Sequence, residues 1–290
     1  MYDDDETFVG RVASFLRAGV DAGPTIAVYN RRHRALLREE LGADAERVAF
    51  ADSDDFYVRP IDALASYAAT LRRLVAAGSE SVRVTAELPL GPTRGGWSDW
   101  ISYEAILNLA LSDWPVHILC AWDTNAVSDA VIDAIWQTHP HVDAVGVGPQ
   151  YHEPRDIVAA FTSVPARNLP LPTLAATRDP TAFREELAAA LAEASAPQAK
   201  VVDMLVAATE IFKNALEHGG GPSALRAGLV DGWFVCEIRD RGPGLDDPLA
   251  GYLPPGPGRP ERAGLWLARQ LVSRLELLPA QPGLAVRLWL

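Results

Sequence analysis

Ala208-Thr-Glu-Ile-Phe-Lys-Asn-Ala-Leu-Glu-His-Gly219 decides how the second half of the chain is read. Glu210, Asn214 and His218 recur four apart, so on a helix all three share one face, one turn above the next. Val201, Leu205, Ala208, Phe212 and Leu216 mark an apolar face that would hold this helix in a core. A carboxylate, an amide and an imidazole aligned on a half-buried helix point to a binding or catalytic role.

Working outward, Trp233-Phe-Val-Cys-Glu-Ile-Arg239 is rich in strand formers and follows Asp231-Gly232. It runs into Asp240-Arg-Gly-Pro-Gly244. Residues 262–271 then place a glycine at the opening of an amphipathic helix, and Gly283 to Leu290 read as a closing strand.

These pieces resemble, in order, the asparagine box and two glycine boxes of the GHKL ATPases: Glu210…Asn214…His218, then Asp240-x-Gly242-x-Gly244, then Ala263-Gly264-Leu265. The resemblance covers about residues 173–290. It implies that Asn214 chelates Mg²⁺ beside the phosphates of ATP. It implies that Asp240 accepts from the adenine amino group, with Gly242 and Gly244 admitting a close backbone approach. Gly264 and Leu265 would set a helix N-terminus near the phosphates. His218 belongs to the asparagine box and also reads as a helix cap. Two departures stand out: Ala263 occupies a place where glycine is common, and Leu284 and Ala285 stand where a Thr or Ser is usual.

The branch of the superfamily follows from what precedes the asparagine box. A histidine kinase needs a helical pair carrying a phosphoacceptor histidine, whereas residues 180–195 read as one helix without any. The segment between the glycine boxes is short and holds Pro254, Pro255, Pro257 and Pro260. Glu210, four before Asn214, is similar to the general base of the anti-sigma-factor serine kinases. The resemblance implies in-line γ-phosphoryl transfer to a serine or threonine of an anti-anti-sigma (STAS-type) partner, with sigma-factor capture as the alternate state. An ATP-gated binding module without transfer is the second reading, and a histidine-kinase-like protein the third.

The 290 residues suggest two domains, and 49% hydrophobic content is ample for real cores. The net charge of −12 argues against a dedicated nucleic-acid surface. Cys120 and Cys236 sit in apolar runs and read as free thiols. Without a long apolar segment or a charged-then-apolar leader, a cytoplasmic location away from membranes is expected.

The first part alternates short apolar strands with helices, the pattern of a parallel α/β sheet. Strands are predicted at 25–29, 48–50, 82–86 and 116–121. Helices are predicted at 8–18 (Thr7 as N-cap), 31–41, 61–77, 102–111 and 128–138. Asn30, Asp52, Glu87 and Asp123 then fall at strand ends, where ligands of such sheets sit and where helix caps also occur. Trp97, Trp100, Trp122 and Tyr103 could line an apolar pocket closed by Glu87 and Glu104, or simply pack the core. His139-x-His141 and His152 read as a turn or helix end rather than a metal site, because Pro140 breaks any helical register.

Phe15-Leu-Arg-Ala-Gly19, Glu87-Leu-Pro-Leu90, Tyr103-Glu-Ala-Ile-Leu-Asn108 and Leu119-Cys-Ala-Trp-Asp123 resemble the MEDS sensory module. That family's fold is RecA-like, and its members usually begin with a strand ending in tyrosine; here only Met1-Tyr2 stands there. No Gly-x4-Gly-Lys-Ser/Thr phosphate loop occurs, so this part reads as a sensor of an unidentified small molecule. Glu87, Trp100, Tyr103, Glu104 and Asp123 are its candidate pocket residues.

The expected organisation is a RecA-like parallel-sheet sensory domain at 1–162, a proline-containing linker at 163–179 and a GHKL (Bergerat) α/β sandwich at 180–290. The apolar face of residues 183–194 is read either as packing on its own domain or as the seam of a homodimer.

Overall fold

A computed structural model describes the chain except for residues 90–96, 143–147, 149, 163–166, 246, 248–249 and 253–262. The chain divides into two compact units, Met1–Ile157 and Val158–Leu290.

The first unit opens with helix α1, Asp5–Val20. It starts earlier than the sequence reading because Asp4, not Thr7, is the N-cap; the Asp4 carboxylate accepts from the Thr7 N–H at 2.7 Å. Strand β1 (Thr25–Tyr29) leads to α2 (Arg31–Leu41), capped by Asn30 and ended by Gly42 at φ +58°. Next come β2 (Val48–Asp52), a single turn α3 (Ser53–Phe56) and α4 (Pro60–Ala76), with proline at the helix start. Then follow β3 (Val82–Ala86), α5 (Trp97–Leu111), β4 (Val116–Cys120) and α6 (Asp129–Thr138), while α7 (Pro154–Thr162) runs across the boundary at Ile157.

The four strands form one parallel sheet in the order β2-β1-β3-β4. Chain direction across the sheet reverses between β1 and β3, which makes the carboxyl ends of those strands the switch point. Tyr2 adds a single parallel bridge to Asp123: its N–H donates to the Trp122 carbonyl and its carbonyl accepts from Thr124, both at 2.9 Å. Phe8, Leu16, Tyr29 and Leu37 are fully buried around β1.

In the second unit, α8 (Pro180–Glu193) and α9 (Gln198–Glu217) are followed by β5 (Pro222–Val230) and β6 (Trp233–Asp240). Helix α10 (Ala263–Leu271), β7 (Arg274–Pro279) and β8 (Leu284–Trp289) complete it. The strands form an antiparallel sheet ordered β5-β6-β8-β7. Asp231 and Gly232, at φ +50° and +83°, turn β5 into β6 as a two-residue hairpin loop needs. The helices cover one face. Phe183 of α8 stacks on Phe212 of α9 at 4.5 Å, and Leu187, Leu191, Met204, Cys236 and Leu288 fill the same core. The apolar face of α8 is thus used within its own unit.

The other sheet face carries charge. Register aligns Arg226, Glu237, Arg287 and Glu276 across all four strands, alternating in sign. Glu237, 1% exposed at its side chain, accepts from Arg287 Nε at 2.7 Å and Arg239 Nε at 2.8 Å. Burial pushes its carboxyl up, but those hydrogen bonds and the two guanidinium charges outweigh burial and hold it below the usual carboxylate range.

Part of the segment read as a linker lies against this sheet. The Arg167 carbonyl accepts from Arg287, and Asn168 accepts from Arg239 at 3.3 Å. Thr173 then bridges Arg226 in antiparallel fashion, with Leu174 N–H donating to Leu225 and Ala227 N–H donating to Pro172. Leu171 and Leu174 are buried. Gly228 leaves the room Pro172 needs: a Cβ there would lie 2.8 Å from the proline ring.

Candidate functional site

The last turns of α9 gather the residues singled out from the sequence. Glu210 is partly buried, and its Oε1 accepts from Lys213 Nζ at 2.9 Å across one helical turn. Asn214, one turn on, is also partly buried. Its carbonyl accepts from the N–H groups of His218 (2.9 Å) and Gly219 (3.2 Å), which closes the helix. His218 is the C-cap, and its imidazole is 71% exposed beside Glu217. The cap role therefore accounts for His218, and its side chain does not join the others.

Asp240 ends β6 directly against this helix terminus. Its Oδ1 accepts from the N–H groups of Gly242 and Leu284, each at 3.0 Å. Oδ2 has no hydrogen-bond partner among the described residues. Glycines make the fit possible. A Cβ on Gly219 would sit 2.6 Å from the Asp240 side chain, one on Gly283 would meet Asp240 Oδ1 at 2.4 Å, and one on Gly242 would meet the Gly219 Cα at 2.8 Å. Gly244 adopts φ +93°, in the left-handed region. The carboxylate is thus fixed by two backbone donors on one oxygen, while the other is left to accept from a ligand N–H.

Gly264, in the first turn of α10, closes the third side. A Cβ on it would lie 3.0 Å from Glu210 Oε2 and 3.8 Å from Asn214 Nδ2. Glu210, Asn214 and the start of α10 are therefore neighbours, and Asp240 abuts Gly219 at the end of the same helix α9. Leu265 turns inward, packing on the unit's core and against Gly251. Backbone N–H groups at a helix start and a side-chain amide can donate to an anionic ligand such as a phosphate chain, while the open Asp240 oxygen can accept from a ligand N–H. Pro254, Pro255, Pro257 and Pro260 lie outside the described residues.

The first-unit candidates separate into distinct places. Asn30 and Asp52 cap α2 and α3, as strand-end residues often do. Asp123 accepts from the Asn125 N–H at 2.9 Å in a turn. Glu87, at the switch point, is 8% exposed and bonded to the chain's own groups: Tyr2 OH on Oε1 and His33 Nδ1 on Oε2, the latter at 2.6 Å. Trp100 and Tyr103 pack edge-on at 5.4 Å. Together with Glu104 and Trp122 they border two crevices of about 10 Å³ each, room for at most one water. The Trp97 side chain lies outside the described residues.

A larger cavity of about 770 Å³ opens elsewhere in this unit, lined by Tyr2, Phe8, Phe15, Cys120, Trp122 and His139 among others. Of these, the sequence reading had singled out only Trp122 for a pocket. The signal was faint: the lining comes from α1, β4 and the end of α6, with no common period. Beside it, burial pushes the Glu104 carboxyl up to about 8, pulls the His139 imidazole down to about 4 and raises the Cys120 thiol.

Comparison with known families agrees with both units. Residues 1–140 match the MEDS family, the methanogen/methylotroph, DcmR sensory domain. Residues 174–289 match the histidine kinase-like ATPase domain. No curated protein matches the chain. The site at the end of α9 lies within the matched ATPase domain, and the chain is a MEDS sensory domain joined to a histidine kinase-like ATPase domain.

Proposed function

We propose that the protein is a signal-responsive regulator of the anti-sigma-factor type, whose ATPase domain holds Mg-ATP and phosphorylates a serine or threonine of an anti-anti-sigma, STAS-type partner. The supporting observation is the placement of Glu210. Its carboxylate lies one turn before Asn214 and against Gly264 at the start of α10. Bound Mg-ATP supplies the transferable phosphoryl group and the cation that offsets its charge. Glu210 takes the proton of the acceptor hydroxyl, and Lys213 holds its other oxygen. Asn214 offers its side-chain oxygen to the metal. Asp240 accepts from the adenine amino group through Oδ2, and the Leu284 N–H steadies the carboxylate at the point where relatives carry a hydroxyl. A sigma factor is the partner in the alternate state, and the MEDS domain supplies the small-molecule signal. Assembly as a homodimer and a cytoplasmic location accompany this reading; no helix among the described residues is long and apolar enough to cross a membrane.

The test offers γ-labelled ATP and a panel of purified STAS-domain proteins to the full chain. Label should reach an acceptor serine or threonine. Glu210→Ala should abolish transfer, a loss of about 100-fold or more, while ATP still binds. Transfer that survives Glu210→Ala removes this residue as base. ATP binding without transfer to any acceptor supports a nucleotide-gated binding module instead.

Asp240→Asn should weaken ATP by roughly 1–2 kcal/mol, about tenfold. The two backbone donors keep one side-chain oxygen, so the amide NH₂ is turned toward the ligand's own donor. Isothermal titration reads the change, and unaltered affinity would take Asp240 out of the site.

A further inference from the structure

Three side chains from different elements of the first unit converge where no local sequence pattern brings them. Cys120 ends β4, Glu104 lies in the middle of α5 and His139 caps α6. One donor atom of each lies within 4.8 Å of the other two. His139 Nε2 is 3.4 Å and Cys120 Sγ 3.9 Å from the same carboxylate oxygen, Glu104 Oε2.

The hydrogen bonds around His139 fix its tautomer. Nδ1 lies 3.0 Å from the Ile135 carbonyl, which can only accept. It is also 3.0 Å from Thr138 Oγ1, whose own hydrogen goes to the Ala134 carbonyl at 2.9 Å. Nδ1 therefore carries the hydrogen, and Nε2 presents a lone pair to a carboxylate oxygen. Two lone pairs facing each other in a buried site need either a proton or a cation between them. Among the described residues no Lys or Arg pairs with Glu104.

The donor set says which centre fits. A thiolate, an imidazole and a carboxylate together are ligands of Zn²⁺ and similar borderline-soft ions; hard ions such as Mg²⁺ do not select sulfur. Tetrahedral Zn²⁺ bonds of about 2.0–2.3 Å set ligand atoms roughly 3.3–3.8 Å apart; of the two separations here, 3.4 Å falls within that range and 3.9 Å just beyond it. The Nδ1–H bond to a backbone carbonyl is the outer contact that orients a metal-binding histidine. A fourth position has somewhere to open. Cys120 and His139 both line the cavity of about 770 Å³, as does Trp122, whose buried Nε1 lacks a partner among the described residues.

We propose that Glu104, Cys120 and His139 form a Zn²⁺-type site with three protein ligands and a fourth position turned toward this cavity. The cation displaces the thiol proton to solvent. The open position takes water or a small exogenous ligand that enters the cavity, which gives the sensory domain a metal-centred means of recognition.

Co²⁺, a spectroscopic substitute for Zn²⁺, tests this on the full chain after stripping with a chelator. The expected result is a sulfur-to-cobalt charge-transfer band with tetrahedral d–d absorption, saturating at one equivalent and bleached by Zn²⁺. Cys120→Ser should remove the charge-transfer band, and Cys236→Ser should keep it, since Cys236 is buried in the second unit. His139→Gln and Glu104→Gln should each weaken Co²⁺ binding by at least about tenfold, with circular dichroism reporting the fold of every variant. A folded native chain that shows no thiolate band overturns the proposal, and so does a band that persists in folded Cys120→Ser.

Discussion

Asn214→Ala lowers ATP turnover by about 100-fold or more, on the order of 3 kcal/mol of barrier. The side chain stands within reach of Gly264 and shares its helix face with Glu210. Its backbone carbonyl, which closes α9 onto His218 and Gly219, is retained in alanine. Alanine is also the better helix former, so the helix itself is not weakened. The loss therefore reports the amide alone. Phosphate release at saturating Mg-ATP measures it, with a thermal melt to show that the fold is intact. A rate within about threefold of the parent, under 1 kcal/mol, would mean that Asn214 does not ligate the metal.

Glu237→Leu destabilises the ATPase unit by about 3–5 kcal/mol, because removing one partner of a buried ion pair strands the other. Arg287 is 5% exposed and, among the described residues, would keep only the Arg167 carbonyl. Domain stabilities are about 5–15 kcal/mol, so this loss is a large part of the total. Urea unfolding of the full chain should show the second unit's transition moved to lower denaturant; a loss below about 1 kcal/mol would mark the pair as no better than a surface one. The same group carries a pH signature. Its folded pKa lies below the unfolded value of roughly 4.3, so its stabilisation is complete above that value and disappears as pH falls through the folded pKa. Glu237→Gln cannot titrate there, so its stability should fall less steeply in acid than the parent's.

Much of this architecture is legible wherever structure is local. β1, α2 and β3 run over the residues expected of them, because Asn30 and Gly42 punctuate α2 and the strands are rich in valine, isoleucine, threonine and tyrosine. The α9 site is legible for the same reason: Glu210 and Asn214 share a face by helical period, and Asp240 follows a strand that reads as one. β5 and β7 are not anticipated. Pro-Ser-Ala-Leu-Arg-Ala-Gly-Leu-Val has the composition of a loop, and Arg-Leu-Glu-Leu-Leu-Pro is too short to separate from the helix before it; cross-strand pairing decides both. The Glu104, Cys120 and His139 cluster is invisible along the chain because three separate elements meet there. Glu87, read as a pocket carboxylate, is consumed by Tyr2 and His33, a pairing no spacing reveals.

Residues 167–174 bear on anyone who wants the ATPase half by itself. Cutting the gene at residue 180, where the helices begin, would discard the Arg167 carbonyl and the buried Leu171 and Leu174. Backbone groups of Leu225 and Ala227 would lose their partners, leaving β5 bare and prone to zip onto a second copy. Beginning at residue 167 keeps that seam closed, and the longer fragment should be the one that stays in solution.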